Sequence, residues 1–135
     1  MLRHIVAIVA GVSAGWIVVA AIDLIGLWLF PEAGAQSAHA GQLSQMVGEL
    51  PDYSLWIKQL AWFIGAVSSA WLASRMHAGD RLICGGMAAL LLLALSVVSL
   101  IVNPSPLWFI LLTPIVFLSG ATVGLLPSMR TASAG

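Results

Sequence analysis

Between Ile5 and Phe30 the chain runs for 26 residues, IVAIVAGVSAGWIVVAAIDLIGLWLF, with one ionisable side chain, Asp23. About 20 apolar residues suffice for a helix to cross a bilayer. A run this long and this poor in charge has no solvated face, so it predicts a transmembrane span rather than a surface helix. A signal peptide is the competing reading, since Arg3 and His4 precede the run and Ala33-Gly34-Ala35 follows it. Signal cores are only about 7–15 residues long, so the segment is expected to stay on the protein as its first span.

The rest of the chain has the same character. Hydrophobic residues make up 61% of it, charged residues only 7%, and mean hydropathy is +1.05. A soluble domain carries about 25% charged residues. A zero net charge and a pI near 6.8 leave no basic footprint for nucleic acid. The single cysteine, Cys84, has no intramolecular disulfide partner and lies in an apolar segment, so it reads as inert packing.

Three further apolar runs, at about 55–74, 82–102 and 107–126, each come near crossing length. With spans at about 5–30 and these three, the expectation is an all-α membrane protein. It has one domain over 1–135, a four-transmembrane-helix antiparallel bundle. Arg3, Arg75, Arg81 and Arg130 fall on one side of such a chain, while the connections 31–54 and 103–106 hold no Lys or Arg. Positive charge stays on the cytoplasmic side, so both termini are expected there. Trp28, Tyr53, Trp56 and Trp108 then cluster at outer ends and Trp71 near an inner end, as interfacial belts do. Trp16 and Trp62 lie deeper and are expected to pack inside the bundle.

The long outer connection contains Leu43, Met46, Val47 and Leu50 at helical spacing. This predicts a short interfacial helix ended by Pro51, lying on the membrane surface or over the outer mouth of the bundle. Pro104 and Pro106 lock the turn between the last two spans, and Pro114 should kink the last one.

Lipid offers helices little reason to hide apolar surface, so close backbone approach decides which faces meet. Gly11 and Gly15 form a GxxxG in span 1, Gly65 and Ser69 lie in a four-residue stripe in span 2, and Gly120 and Gly124 repeat it in span 4. These stripes predict packing within the bundle or, alternatively, a homodimer face. The sharpest polar pair is Asp23 with Lys58, about 10 Å and 5 Å below their outer helix ends. Lys58 falls on the Gly65–Ser69 face of the wheel, so the two are expected to meet between spans 1 and 2. A charge at that depth costs at least about 2.5 kcal/mol and is paired or functional. The pair reads as a latch fixing helix register, with a proton or substrate relay through Asp23, or its pairing with another subunit, as the competing roles.

Other chemistry is thin. His39 with Glu32, Glu49 and Asp52 lacks metal-ligand spacing and reads as a solvated acidic loop. His4 and His77 lie at the expected inner interface, away from mid-membrane. No nucleophile elbow, phosphate loop or intramembrane Ser/His pair occurs, so neither an enzyme, a metal nor a cofactor is expected.

Several short pieces together resemble a family. They are Gly11-Val-Ser-Ala-Gly15 leading to Asp23-Leu-Ile-Gly26, Phe30-Pro31, Leu50-Pro51, Ala61-Trp62 with Gly65-Ala66, and Pro106-Leu107-Trp108-Phe109. The chain is similar in these to small uncharacterised four-span proteins of the bacterial inner membrane, over nearly its whole length. Where that family often has His, this chain has Leu27 and Ser105, so a shared polar outer site is not implied. The resemblance implies architecture and a bacterial inner-membrane location, and no activity. Two functions are expected to compete. One is a non-catalytic accessory or assembly subunit packing against lipid and other membrane proteins of a larger complex. The other is a small homo-oligomeric transporter or channel using Asp23.

Overall fold

A computed structural model describes residues 2–29, 52–76, 79–102 and 105–133 of the chain. The described residues are helical apart from short turns. There are four helices: α1 (Leu2–Leu29), α2 (Asp52–Met76), α3 (Arg81–Val102) and α4 (Leu107–Ser133). The segment 41–50, expected as an interfacial helix, lies outside the described residues, as do His39, Glu32, Glu49 and His77.

Three helices are long and apolar enough to cross a membrane, over Leu2–Gly26, Arg81–Val102 and Leu107–Arg130. The chain is thus a helical protein of membrane type. α2 is not among the three. Lys58, Gln59, Ser68, Ser69 and Ser74 dilute its apolar character, yet it is the most enclosed helix. It packs on α1, α3 and α4, while α3 also touches α1 and α4. α2 and α3 therefore sit between the other two.

The helices outrun the apolar segments at several ends. α1 begins three residues earlier than the apolar run and α4 continues past Leu126 to Ser133. Apolarity reports where a bilayer core lies, but backbone hydrogen bonding carries a helix on into water. Pro114 and Pro127 both lie inside α4. Each removes one N–H donor, and a packed helix tolerates that loss.

Packing follows the small residues. Ala7, Gly11, Gly15 and Val19 form the buried stripe of α1, at four-residue steps. A Cβ added to Gly11 would lie 2.8 Å from the Ser69 carbonyl oxygen and from the Ala73 Cβ. One added to Gly15 would lie 2.9 Å from the Gly65 carbonyl oxygen and from the Ser69 Cβ. Farther along, a Cβ at Gly26 would come 3.5 Å from Ile57. Contacts thus ascend α1 as they descend α2.

The α2–α4 seam differs along its length. One half is aromatic, with Trp62 against Phe109 and Phe117 at ring-centroid distances of 5.4 and 5.9 Å. The other half is glycine on backbone: Cβ atoms at Gly120 and Gly124 would meet the Phe63 and Val67 carbonyl oxygens at 2.8 and 2.5 Å. Trp16 corrects one expectation. It is 48% exposed, because its neighbour Gly15 takes the inward position. Trp62, at 3% exposure, is enclosed.

Candidate functional site

The polar groups along the apolar helices are where chemistry or recognition would reside. Asp23 is half-buried on α1 and Lys58 is exposed on α2. The contacts of Val19 with Gly65 and of Gly26 with Ile57 place Asp23 level with about Leu60. Lys58 then stands about 3 Å farther along the bundle. Its ammonium acts electrostatically on the Asp23 carboxyl. Among the described residues, no ion pair within 4.0 Å joins the two. An exposed lysine of this kind can keep its ammonium in water or headgroups while its stem lies along apolar surface.

Gln59, the next residue, turns the other way. It is 3% exposed, and its Nε2 donates to the Phe109 carbonyl oxygen at 3.2 Å and to Thr113 Oγ1 at 3.3 Å. Thr113, fully buried, donates its own hydroxyl to the same carbonyl at 2.8 Å. This three-centre contact ties α2 to α4 beside the Trp62 cluster. Its Oε1 and the Ser69 hydroxyl are buried without a protein hydrogen-bond partner. Sequence reasoning passed over Gln59, although an uncharged amide amid apolar neighbours carries its own signal. Burying it unpaired costs several kcal/mol in hydrocarbon, so it demands a partner on a facing helix.

Other buried hydroxyls serve their own helix. Ser96 donates toward the Leu92 and Leu93 carbonyls, and Ser74 and Ser128 donate to Trp71 and Leu125.

Of the six small residues that the stripes single out, Gly11, Gly15, Gly65 and Ser69 lie together in the α1–α2 seam. Gly120 and Gly124 lie in the α2–α4 seam. Gly85 adds a third close approach, since its Cβ would lie 2.8 Å from the Ala70 carbonyl oxygen. Cys84 is fully buried beside it.

At the opposite end from Lys58, His4 meets Asp80 at 3.0 Å, closing the start of α1 onto the turn between α2 and α3. Among the described residues, no group of three or more His, Cys, Asp or Glu side chains is placed to hold a metal ion. Comparison of the chain with protein-family models, with curated proteins and with solved structures finds no match.

Proposed function

We propose that the protein is a non-catalytic accessory or assembly subunit of a larger membrane complex, seated in a bacterial inner membrane. In this reading it is an antiparallel bundle of four crossings, α2 included, with both termini cytoplasmic and the 41–50 segment lying along the outer surface as a short helix. α2 crosses although its hydropathy is low, because Gln59, Ser69 and Ser74 are buried against its neighbours while the exposed Lys58 and Arg75 lie toward its two ends.

The observation that supports this reading most is the closure of the seams. At Gly15, Gly65, Gly120 and Gly124 an added Cβ would fall within 3.1 Å of a backbone oxygen of the facing helix. At these positions helix backbones that close leave no room for water between them. Gln59 and Thr113 serve helix contact in the same way. What remains for partners is the outer surface, where α1 exposes Ile5, Val9, Ile17, Leu24 and Trp28.

One observation favours the alternative, a homo-oligomeric transporter or channel. Asp23 is half-buried and has no directly contacting cation among the described residues, so its carboxyl is not locked in an ion pair. A path in that case runs between copies.

Gentle detergent extraction from the native membrane, followed by native mass measurement, separates the two. Unlike partners at a fixed ratio are expected. A homodimer or homotetramer alone, together with a flux that Asp23→Asn abolishes, overturns the subunit reading.

A further inference from the structure

Where α2 ends, α3 begins and α4 passes by, a cavity of about 270 Å³ opens, lined by Trp71, Ser74, Arg75, Arg81, Pro127 and Ser128. Among the described residues that line it, Arg75 and Arg81 are cationic and none is acidic. The apolar stretches of α3 and α4 end at this level, at Arg81 and Arg130. That is the depth at which headgroups meet a membrane-crossing helix.

The wall is built to hold an anion. The Arg75 guanidinium stacks over the Trp71 ring, 4.7 Å from its centroid. Stacking occupies the face of the guanidinium and leaves its in-plane N–H edge for a planar or tetrahedral oxyanion. Ser74 and Ser128 each donate to a carbonyl of their own helix, at 2.8 and 2.7 Å. Those bonds fix both hydroxyl oxygens in the wall, and a bound anion offers their protons a charged, stronger acceptor. Trp71 and Pro127 supply an apolar flank on which a glycerol backbone can rest.

We propose that this cavity binds the phosphate ester of an anionic phospholipid headgroup. Basic pockets between membrane helices take such headgroups. A soluble phosphate ester shares the recognised chemistry, but the placement at the end of two crossing-length helices favours the lipid. The inference is independent of the subunit reading and needs only that the chain lies in a bilayer.

The test uses the full chain in nanodiscs made from equal parts phosphatidylglycerol and phosphatidylcholine. Lipids retained after detergent release are counted by native mass spectrometry. Retained phosphatidylglycerol at one per chain is expected, falling about tenfold or more in the Arg75→Gln/Arg81→Gln double variant, since each lost contact is a charge-assisted hydrogen bond. Lys58→Gln, at the other end of the bundle, should leave retention unchanged. Equal retention of both lipids, or retention indifferent to the two arginines, overturns the proposal. So does arginine-dependent binding of glycerol phosphate that displaces the lipid, which reassigns the site to a soluble ester. If the double variant does not fold, the wild type still decides. Its preference for phosphatidylglycerol should shrink as salt rises from about 0.05 to 0.5 M, and a salt-independent preference sinks the idea.

Discussion

α2 is held on two sides by different means. Toward α1 it offers Gly65, Ser69 and Ala73, and α1 answers with Gly11 and Gly15, so backbone lies almost on backbone. Toward α4, at the end bearing Trp56, it offers Gln59 and Trp62 to Phe109, Thr113 and Phe117. Trp56 and Trp108 extend that aromatic contact, with ring centroids 5.7 Å apart. The glycines of the first seam have no side chain to remove and no room to add one. The second has large side chains to remove and a polar bond to break. In lipid both depend on dispersion and hydrogen bonding rather than on hiding from water, so the two seams should fail under opposite kinds of substitution.

The largest effect is expected where the aromatic seam loses its centre. Trp62→Ala deletes a ring that touches both Phe109 and Phe117. The cavity should cost about 3 kcal/mol, the low end for a buried Trp, because the lipid-solvated reference state is itself apolar. Reversible unfolding in mixed micelles, followed by circular dichroism, gives the number. A loss below about 1 kcal/mol breaks the comparison, since Trp62 would then be filler rather than the centre of that seam.

Next comes overpacking of the glycine seam. Gly15→Ala sets a methyl 2.9 Å from the Gly65 carbonyl oxygen and 2.8 Å from Leu92 Cδ2. The leucine can swing aside, but the backbone cannot, so about 2 kcal/mol is expected. Gly86→Ala sharpens the point. An added Cβ there meets nothing within 4 Å, and the helix gains by losing a glycine, by up to about 1 kcal/mol. Should both glycine variants behave alike, small residues in this chain are not contact points.

These seams were partly legible in the amino-acid order. Crossing-length runs stand out because so few polar residues interrupt them, and four-residue stripes of Gly, Ala and Ser place small residues on one helix face. Which stripe meets which is not written there. That Gly15 lies on Gly65 while Gly120 lies on the Phe63 carbonyl depends on how four helices share space. Trp16 departs from its expected place inside the bundle for a related reason. Depth along a helix is read from position, whereas the direction of a side chain depends on which neighbour is pressed inward, and Gly15 is. Gln59 carries no formal charge, so it does not stand out in the amino-acid order as Asp23 and Lys58 do. The neighbouring lysine reaches out to the surface, while the amide is buried and bonded across the seam. The basic cavity at the far end likewise gathers residues from three helices, which no local spacing reveals.

A smaller effect tests the polar part of the aromatic seam. Gln59→Leu removes the donor to Phe109 and Thr113 but keeps most of the volume. Interhelical hydrogen bonds in membrane proteins contribute about 0.6 kcal/mol on average, and Thr113 keeps its own bond to the Phe109 carbonyl. A loss near that value is expected. Loss beyond about 2 kcal/mol would make the amide, not the rings, the main tie between α2 and α4.

The smallest effect is expected at His4, and it asks what holds α1 in place. The His4–Asp80 contact, at 3.0 Å, joins the start of α1 to the turn before α3. Its side chains are 37% and 52% exposed, so solvent screens them. Exposed pairs of this kind contribute about 0.2–1 kcal/mol. His4→Ala should therefore cost about 0.5 kcal/mol or less. Cross-linking between cysteines introduced at Gly26 and Ile57, where a Cβ added to the glycine comes 3.5 Å from Ile57, measures α1 docking directly. Docking should survive His4→Ala and weaken in Gly15→Ala, because dispersion summed along a closed backbone seam exceeds one screened contact at its end. If the order is reversed, α1 is held by its end rather than by its seam, and the contrast between the two faces of α2 no longer explains the fold.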